Sequence, residues 1–173
     1  MKTIIIYKSS TGYTEKYANW LGKELNCKII TLKEAKKKEL ANYDRLIYGG
    51  GIRANVINGL KQFKKLVDGG KEIYIFAVGA SENTPQVRDD IKKWNLVHIG
   101  DLPFYYFRGG MDLGIMRGAE KIMMNMIKSS LAKKETTLPQ KDKDMLQMML
   151  NPCDFSDRAS LNPLIDRIKR GKA

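Results

Sequence analysis

Ile4-Ile5-Ile6-Tyr7-Lys8-Ser9-Ser10-Thr11-Gly12-Tyr13-Thr14 decides how this chain is read. Three isoleucines and a tyrosine make a short buried strand. A hydroxyl-rich turn containing Gly12 follows. Tyr17, Ala18, Leu21 and Leu25 then recur at helical spacing. The sequence therefore predicts strand, turn and helix start in immediate succession. A helix N-terminus presents unpaired N–H groups and partial positive charge, which suits a phosphate. Ser9, Ser10, Thr11 and Thr14 add hydroxyl donors, and Gly12 lets the backbone curl around an anion. The turn lacks the Gly-Lys-Ser/Thr ending of a P-loop and the three spaced glycines of a dinucleotide fingerprint. An ordinary capped strand-to-helix turn has the same local features.

Outward from this stretch the chain alternates. Cys27–Leu32 reads as a second strand and Lys33–Ala41 as a charged, partly helical connection. Arg45–Tyr48 reads as a third strand running into a Gly49–Asn55 loop. Val56, Leu60, Phe63 and Val67 have helical spacing before Gly69-Gly70. Glu72–Val78 is apolar almost throughout, as expected of a strand covered on both faces. Gly79–Asn83 reads as the next loop, Thr84-Pro85 as the start of a helix reaching Trp94, and Pro103–Phe107 as the fifth strand. Strands alternating with helices imply right-handed crossovers and a parallel sheet. In such sheets ligands bind beyond the carboxyl ends of the strands, where Ser9–Thr14, Gly49–Asn55 and Gly79–Asn83 converge.

After Gly110 the composition changes, and eight of the nine methionines lie between Met111 and Met149. A helix is expected over 113–134, with Ile115, Ala119, Ile122 and Met126 as its apolar stripe and Met116, Met123 and Ile127 beside it. Arg117, Lys121 and Lys128 fall on the opposite side. Such a helix packs on its own domain, meets a partner or lies on an anionic membrane surface. A second helix is expected over 142–150 and a last one over 162–170.

At 173 residues the chain is expected to form one domain, 1–173, with 111–139 as a helical Met-rich insertion. No leader pattern or membrane-length apolar run is evident, so a cytoplasmic protein, at most peripheral to the membrane, is expected. Cys27 and Cys153 lack metal-ligand spacing and are read as reduced thiols. His98 is the one histidine, which argues against histidine triads and zinc sites. The formal charge of +12 favours acidic proteins, anionic lipid, nucleic acid or carboxylated small molecules. No nucleic-acid motif accompanies it, so nucleic acid is not an expected partner.

From Ile5 through Thr14 to Ala18 the opening stretch resembles the phosphate loop of the flavodoxin family, departing from it at Asn19. The resemblance implies an α/β fold: a flavodoxin-like, doubly wound, five-stranded parallel sheet in the order 2-1-3-4-5, with a helical insertion after the fifth strand. It also implies flavin mononucleotide (FMN). A hydroxyl cradle without lysine suits the monoester of that cofactor. Its phosphate would sit on Ser9, Ser10, Thr11, Gly12, Tyr13 and Thr14. Its ring would lie between Gly50, Gly51, Ile52 and Arg53 on one side and Val78, Gly79 and Ala80 on the other. Glycines would let a flat ring edge approach the backbone and let a peptide flip. Ile52 would cover a ring face, and Arg53 would offset negative charge on the reduced flavin or hold a substrate carboxylate. No Trp or Tyr stands in Gly49–Arg53, where many flavodoxins place a stacking aromatic.

Gly49–Arg53, the basic stretch from Arg117 to Glu135 and the closing Asp154–Ile168 segment are similar to the flavodoxin-like protoporphyrinogen oxidases of bacteria. That similarity implies quinone-linked oxidation of a porphyrinogen. The expected function is electron transfer or flavin-dependent oxidoreduction, with a redox partner protein or a small-molecule electron donor or acceptor. No protein acid or base and no metal is assigned. The alternative is a non-redox binding module that keeps the fold.

Overall fold

The structure, a computed structural model, describes residues 1–171, with the backbone alone at Glu135. In chain order the elements are β1 (Thr3–Lys8), α1 (Tyr13–Leu25), β2 (Lys28–Thr31), α2 (Lys37–Leu40), β3 (Arg45–Arg53), β4 (Val56–Ile57), α3 (Leu60–Leu66) and β5 (Glu72–Gly79). Next come α4 (Pro85–Trp94), α5 (Leu96–Ile99), β6 (Phe104–Arg108), β7 (Gly110–Met111), α6 (Gly118–Ala132), α7 (Gln140–Leu150), β8 (Cys153–Asp154) and α8 (Asn162–Arg170). They form two compact units: Met1–Gly109 with the segment from Ser156 onward, and Gly110–Phe155.

In the first unit the strands order β2-β1-β3-β5-β6, all parallel, with β4 added antiparallel to β3. Counting only the parallel strands, this is the expected 2-1-3-4-5 sheet. Alternate residues of each strand face opposite layers. Ile4, Ile6, Leu46, Tyr48, Ile75 and Ala77 join Leu60, Phe63, Ile91 and Ile99 from α3, α4 and α5. Ile5, Ile47, Tyr74, Phe76 and Phe107 join Tyr17, Ala18 and Leu21 of α1 and Leu164, Ile165 and Ile168 of α8. The sheet is thus covered on both faces, which is why its strands read as near-continuous apolar runs.

Two expectations need correction here. Gly49–Arg53 is not a loop: β3 runs straight through it, pairing Gly49 with Phe76, Gly50 with Ala77 and Gly51 with Val78. The chain then reverses at Ala54 and Asn55, with φ of 46° and 63°. Positive φ at both central residues is the turn that matches strand twist in a two-residue hairpin. Val56 accordingly lies in β4, and Val67 lies beyond the end of α3 in extended backbone. The helix begins only after Gly59, whose φ is 81°.

In the second unit, β7 pairs antiparallel with β8, Gly110 opposite Asp154 and Met111 opposite Cys153. Helix α6 starts at Gly118, five residues later than the expected Leu113, and ends at Ala132. Its packed face is also not the expected one. Met124, Ile127 and Leu131 pack on Leu113, Met116 and Met149, with Met145 beside them. Ile122 and Met126 are 65% and 68% exposed, and Ile115 and Met123 are exposed as well. The expected stripe therefore lies on the outside. Lys128, expected on the solvated side, is half-buried next to the packed face. Cys27 and Cys153 are both free thiols. No helix among the described residues is long and apolar enough to cross a membrane.

Candidate functional site

The carboxyl ends of β1, β3, β5 and β6 form one rim of the first unit. At the end of β1 the Ser9 hydroxyl accepts a hydrogen bond from the Gly12 N–H at 3.0 Å and closes the turn. Gly12 is the residue before α1 and has φ of 87°, and no side chain caps the helix. The first N–H bonded within the helix is that of Lys16, which donates to Gly12 O at 2.9 Å. A Cβ added at Gly12 would meet nothing within 4 Å, so the turn opens on free space. An uncapped helix start with hydroxyls around it and room in front has the features that suit an anion.

The proposed loops do come together. A Cβ at Gly51 would stand 3.5 Å from Thr14 Oγ1. One at Gly79 would stand 3.4 Å from Ile52 Cβ, and one at Gly109 would stand 3.1 Å from Tyr13 Cβ. Ser9–Thr14, Gly51–Ile52, Gly79 and Gly109 therefore share one neighbourhood. Thr14 is buried against β3, whereas Ser10 and Gly12 are exposed and Thr11 and Tyr13 half-buried. Arg53 projects from the hairpin tip and is exposed. Val78 is buried, with Gly79 and Ala80 half-buried beyond it.

Gly49 and Gly50 have a different place. A Cβ at Gly49 would fall 2.0 Å from Phe76 Cζ. One at Gly50 would fall 2.6 Å from Ile57 Cγ2 and 2.8 Å from the Asn58 carbonyl. These glycines make room for packing on the two faces of β3. Their peptides are fixed in the ladder with β1 and β5, so a peptide flip there would break sheet hydrogen bonds. Of the three glycines, Gly51 alone is free of such neighbours.

Sequence reasoning missed the end of β6. The Gly109 N–H donates to Gly79 O at 2.8 Å, and Arg108 Nε donates to Ala80 O at 3.2 Å. The Arg108 carbonyl accepts from the Tyr17 hydroxyl at 2.7 Å, and that hydroxyl accepts from the Asp157 N–H at 2.9 Å. The Tyr106 hydroxyl donates to Ser81 O at 2.8 Å, and burial raises its pKa. Asn83 Nδ2 donates to Tyr106 O at 2.9 Å. Tyr106, Arg108 and Gly109, at the end of β6, thus hold the loop after β5 through four hydrogen bonds. The signal available in sequence was Arg108-Gly109-Gly110 at a parallel strand's carboxyl end.

Beside the Ser9–Thr14 turn, the Tyr7 hydroxyl donates to Glu15 Oε1 at 2.9 Å, and burial with that carboxylate pushes its pKa up to about 12. Glu15, in the first turn of α1, is thereby held by a neutral donor. A groove of about 800 Å³ lined by Lys71, Tyr74, Tyr105 and Arg167 lies at the opposite ends of the strands and is not part of this rim. Among the described residues, no group of three His, Cys, Asp or Glu side chains is placed to hold a metal ion.

Comparison with curated proteins finds no match. Several solved structures are similar. The Trp repressor binding protein from Bacillus subtilis is 18% identical, over 64% of this chain and 85% of that one, with a TM-score of 0.47. The two-electron reduced flavodoxin of Megasphaera elsdenii is 13% identical, over 61% and 84%, with a TM-score of 0.45. A flavodoxin from the domain Archaea is 15% identical, over 72% and 90%, with a TM-score of 0.42. The family model described as a flavodoxin domain matches residues 4–138, from the first strand into the second unit, and this chain belongs to that family.

Proposed function

We propose that this chain binds FMN at the carboxyl-end rim and exchanges electrons with a redox partner protein or a small-molecule donor or acceptor. The observation that carries the reading is the uncapped start of α1, opening on free space at Gly12 and shaped by the Ser9–Gly12 hydrogen bond. Ser9, Ser10, Thr11 and the N–H groups of Tyr13 and Thr14 would hold the phosphate, with Gly12 turning the backbone around it. Gly51 would let the cofactor pass close to β3, and Ile52 and Tyr13 would offer apolar surface to the ring. Gly79 and Ala80 would bring backbone groups to its edge. Gly50 contributes by making room for Ile57 and the Asn58 carbonyl, and Val78 as a buried residue of the strand that leads into Gly79. The cationic Arg53 would favour a negatively charged cofactor or a carboxylate substrate. Bound flavin supplies the electron chemistry; the protein supplies binding, orientation and charge.

The test is a visible-absorbance titration of the purified protein with FMN and with riboflavin. Saturable FMN binding, with riboflavin at least tenfold weaker, is the expected result. Equal affinity for the two removes the phosphate turn from the site. A chain that binds neither keeps the fold without the redox role.

A second reading, quinone-linked protoporphyrinogen oxidation, is favoured by Ile52-Arg53 on the hairpin and by the separate helical unit after the fifth parallel strand. The exposed apolar face of α6, with Arg117, Lys121 and Lys133 around it, suits an anionic membrane surface. Turnover of a porphyrinogen with a quinone, measured with and without anionic vesicles, tests both parts. Absence of turnover under either condition leaves electron transfer as the function.

A further inference from the structure

Trp94, Leu96 and Val97 are 66%, 58% and 92% exposed, three large apolar side chains within four residues of the first unit. Single exposed apolar residues are ordinary, but three so close together in the chain are not. The intervening residue, Asn95, is buried and does the opposite job. Its Oδ1 accepts from the Ile57 N–H at 3.0 Å. Its Nδ2 donates to Asn55 O at 2.7 Å and to Ile91 O at 2.7 Å. The α4–α5 junction is thereby tied to the tip of the β3–β4 hairpin. Val56, also exposed, stands at that tip opposite Arg53 in the hairpin register. Lys92 and Lys93 precede the apolar group, are exposed, and form no ion pair among the described residues. Asp89 and Asp101 line one groove with Lys92, and Asp90 on the same helix accepts from Gln86.

From this arrangement we infer that Val56, Trp94, Leu96 and Val97, rimmed by Arg53, Lys92 and Lys93, form the docking surface for an acidic electron-carrier protein. The inference rests on the proposed electron-transfer role and supplies the partner for it. An apolar centre with a tryptophan anchor and a charged rim is the anatomy of a transient protein interface. Lys92 and Lys93 are outside any ion pair among the described residues and the chain carries a formal charge of +12, so an acidic partner is steered in and a second copy is repelled. A lipid surface fits poorly, because α5 has four residues and an interfacial helix needs a long apolar face. The surface also sits where docking has consequences. Asn95 binds the hairpin whose Ile52 neighbours Gly79 at the rim.

The experiment uses the whole chain. Plant-type ferredoxin, an acidic one-electron carrier, is titrated into the full-length protein carrying Trp20→Phe, so that emission reports Trp94, while that emission and the sedimentation coefficient are followed. Controls are the protein alone over a concentration series and vesicles rich in phosphatidylserine. The expected result is a blue shift and a complex with ferredoxin alone, weakened at least tenfold between low and moderate salt. Leu96→Ser with Val97→Ser, or Lys92→Glu with Lys93→Glu, should each weaken it at least tenfold and leave FMN affinity unchanged. No complex with ferredoxin, a complex that these variants do not weaken, or a blue shift produced by vesicles or by self-association would overturn the inference. If the same preparation takes up no FMN, the proposed function fails, while the fluorescence titration still decides whether the acidic docking surface exists.

Discussion

Alanine at Gly49, Gly50 and Gly51 in turn should separate packing from binding along about 7 Å of one strand. At Gly49 the new methyl would lie 2.0–2.6 Å from three ring atoms of Phe76. Phe76 is fully buried and packs at 5.6 Å on Phe107, so the ring has little room to yield. Overpacking of a filled core costs about 1–3 kcal/mol, and the fixed ring puts Gly49→Ala near the upper end. For a chain of this size that is a fall in Tm of roughly 6–12 °C. Gly50→Ala meets Ile57 Cγ2 and the backbone carbonyl of Asn58. A cost of about 2 kcal/mol is expected there, together with displacement of the hairpin. Gly51→Ala meets Thr14 Oγ1 at 3.5 Å, an ordinary contact, and Gly51 is not among the positive-φ glycines. Its stability should change by no more than about 0.5 kcal/mol. The added methyl would nevertheless intrude beside the start of α1, so FMN affinity should fall at least tenfold. Thermal melts of the flavin-free variants, followed by FMN titration, measure both quantities. Wild-type melting of Gly49→Ala would refute the packing argument. Wild-type FMN affinity of Gly51→Ala would refute the placement of the cofactor against β3.

Thr11→Ala removes a hydroxyl from the phosphate turn; loss of one hydrogen bond to a charged group is worth about 1.5–3 kcal/mol, seen as a tenfold or greater rise in the Kd for FMN by fluorescence. At alkaline pH the protein should lose stability. Burial raises the Cys27 thiol to about 11, and burial with the Glu15 hydrogen bond raises Tyr7 to about 12. Both groups are neutral when protonated, and the unfolded chain ionises first. The stability they give is therefore whole below pH 9 and is lost as pH rises towards 11 and 12, a decline that urea melts at pH 8, 10 and 11 would follow and that Cys27→Ala should flatten. In the second unit, Leu113→Ala or Met149→Ala should cost about 2–5 kcal/mol, whereas Ile122→Ser with Met126→Ser should leave melting nearly unchanged and abolish any binding to anionic vesicles; a large stability loss in the latter pair would mean that the outer face of α6 is covered.

The sheet was legible because both of its faces are covered. Ile4–Ile6, Arg45–Tyr48 and Glu72–Val78 are too uniformly apolar to be anything but central strands, and the hydroxyl turn after the first fixes the direction. The hairpin was not legible for a local reason. Three glycines ordinarily punctuate a chain, yet Gly49 and Gly50 serve Phe76, Ile57 and the Asn58 carbonyl, none of them a sequence neighbour. Val56 stands four residues before Leu60, a helical spacing that two left-handed residues and Gly59 override. The packed face of α6 was obscured by its own composition. Ile122, Met123, Met124, Met126 and Ile127 put apolar atoms most of the way around the helix, so periodicity could not choose a side. Met145 and Met149 of α7 choose it.

The short ladder between β7 and β8 has a consequence for how this chain came to be built. Gly110 and Asp154 are direct partners across it, so the second unit leaves the main chain and returns to it at points one strand spacing apart, about 5 Å. Forty-six residues, Gly110–Phe155, are hung on a two-stranded stem. A stem of that width can be closed by a two-residue turn, and the entropic difference between a short and a long closed loop is small. Replacement of 112–152 by a two-residue turn therefore keeps both strands of the stem and the two points at which the chain leaves and returns. Removal of 111–139 alone would instead sever Met111 from Cys153 and leave α7 without its partner helix.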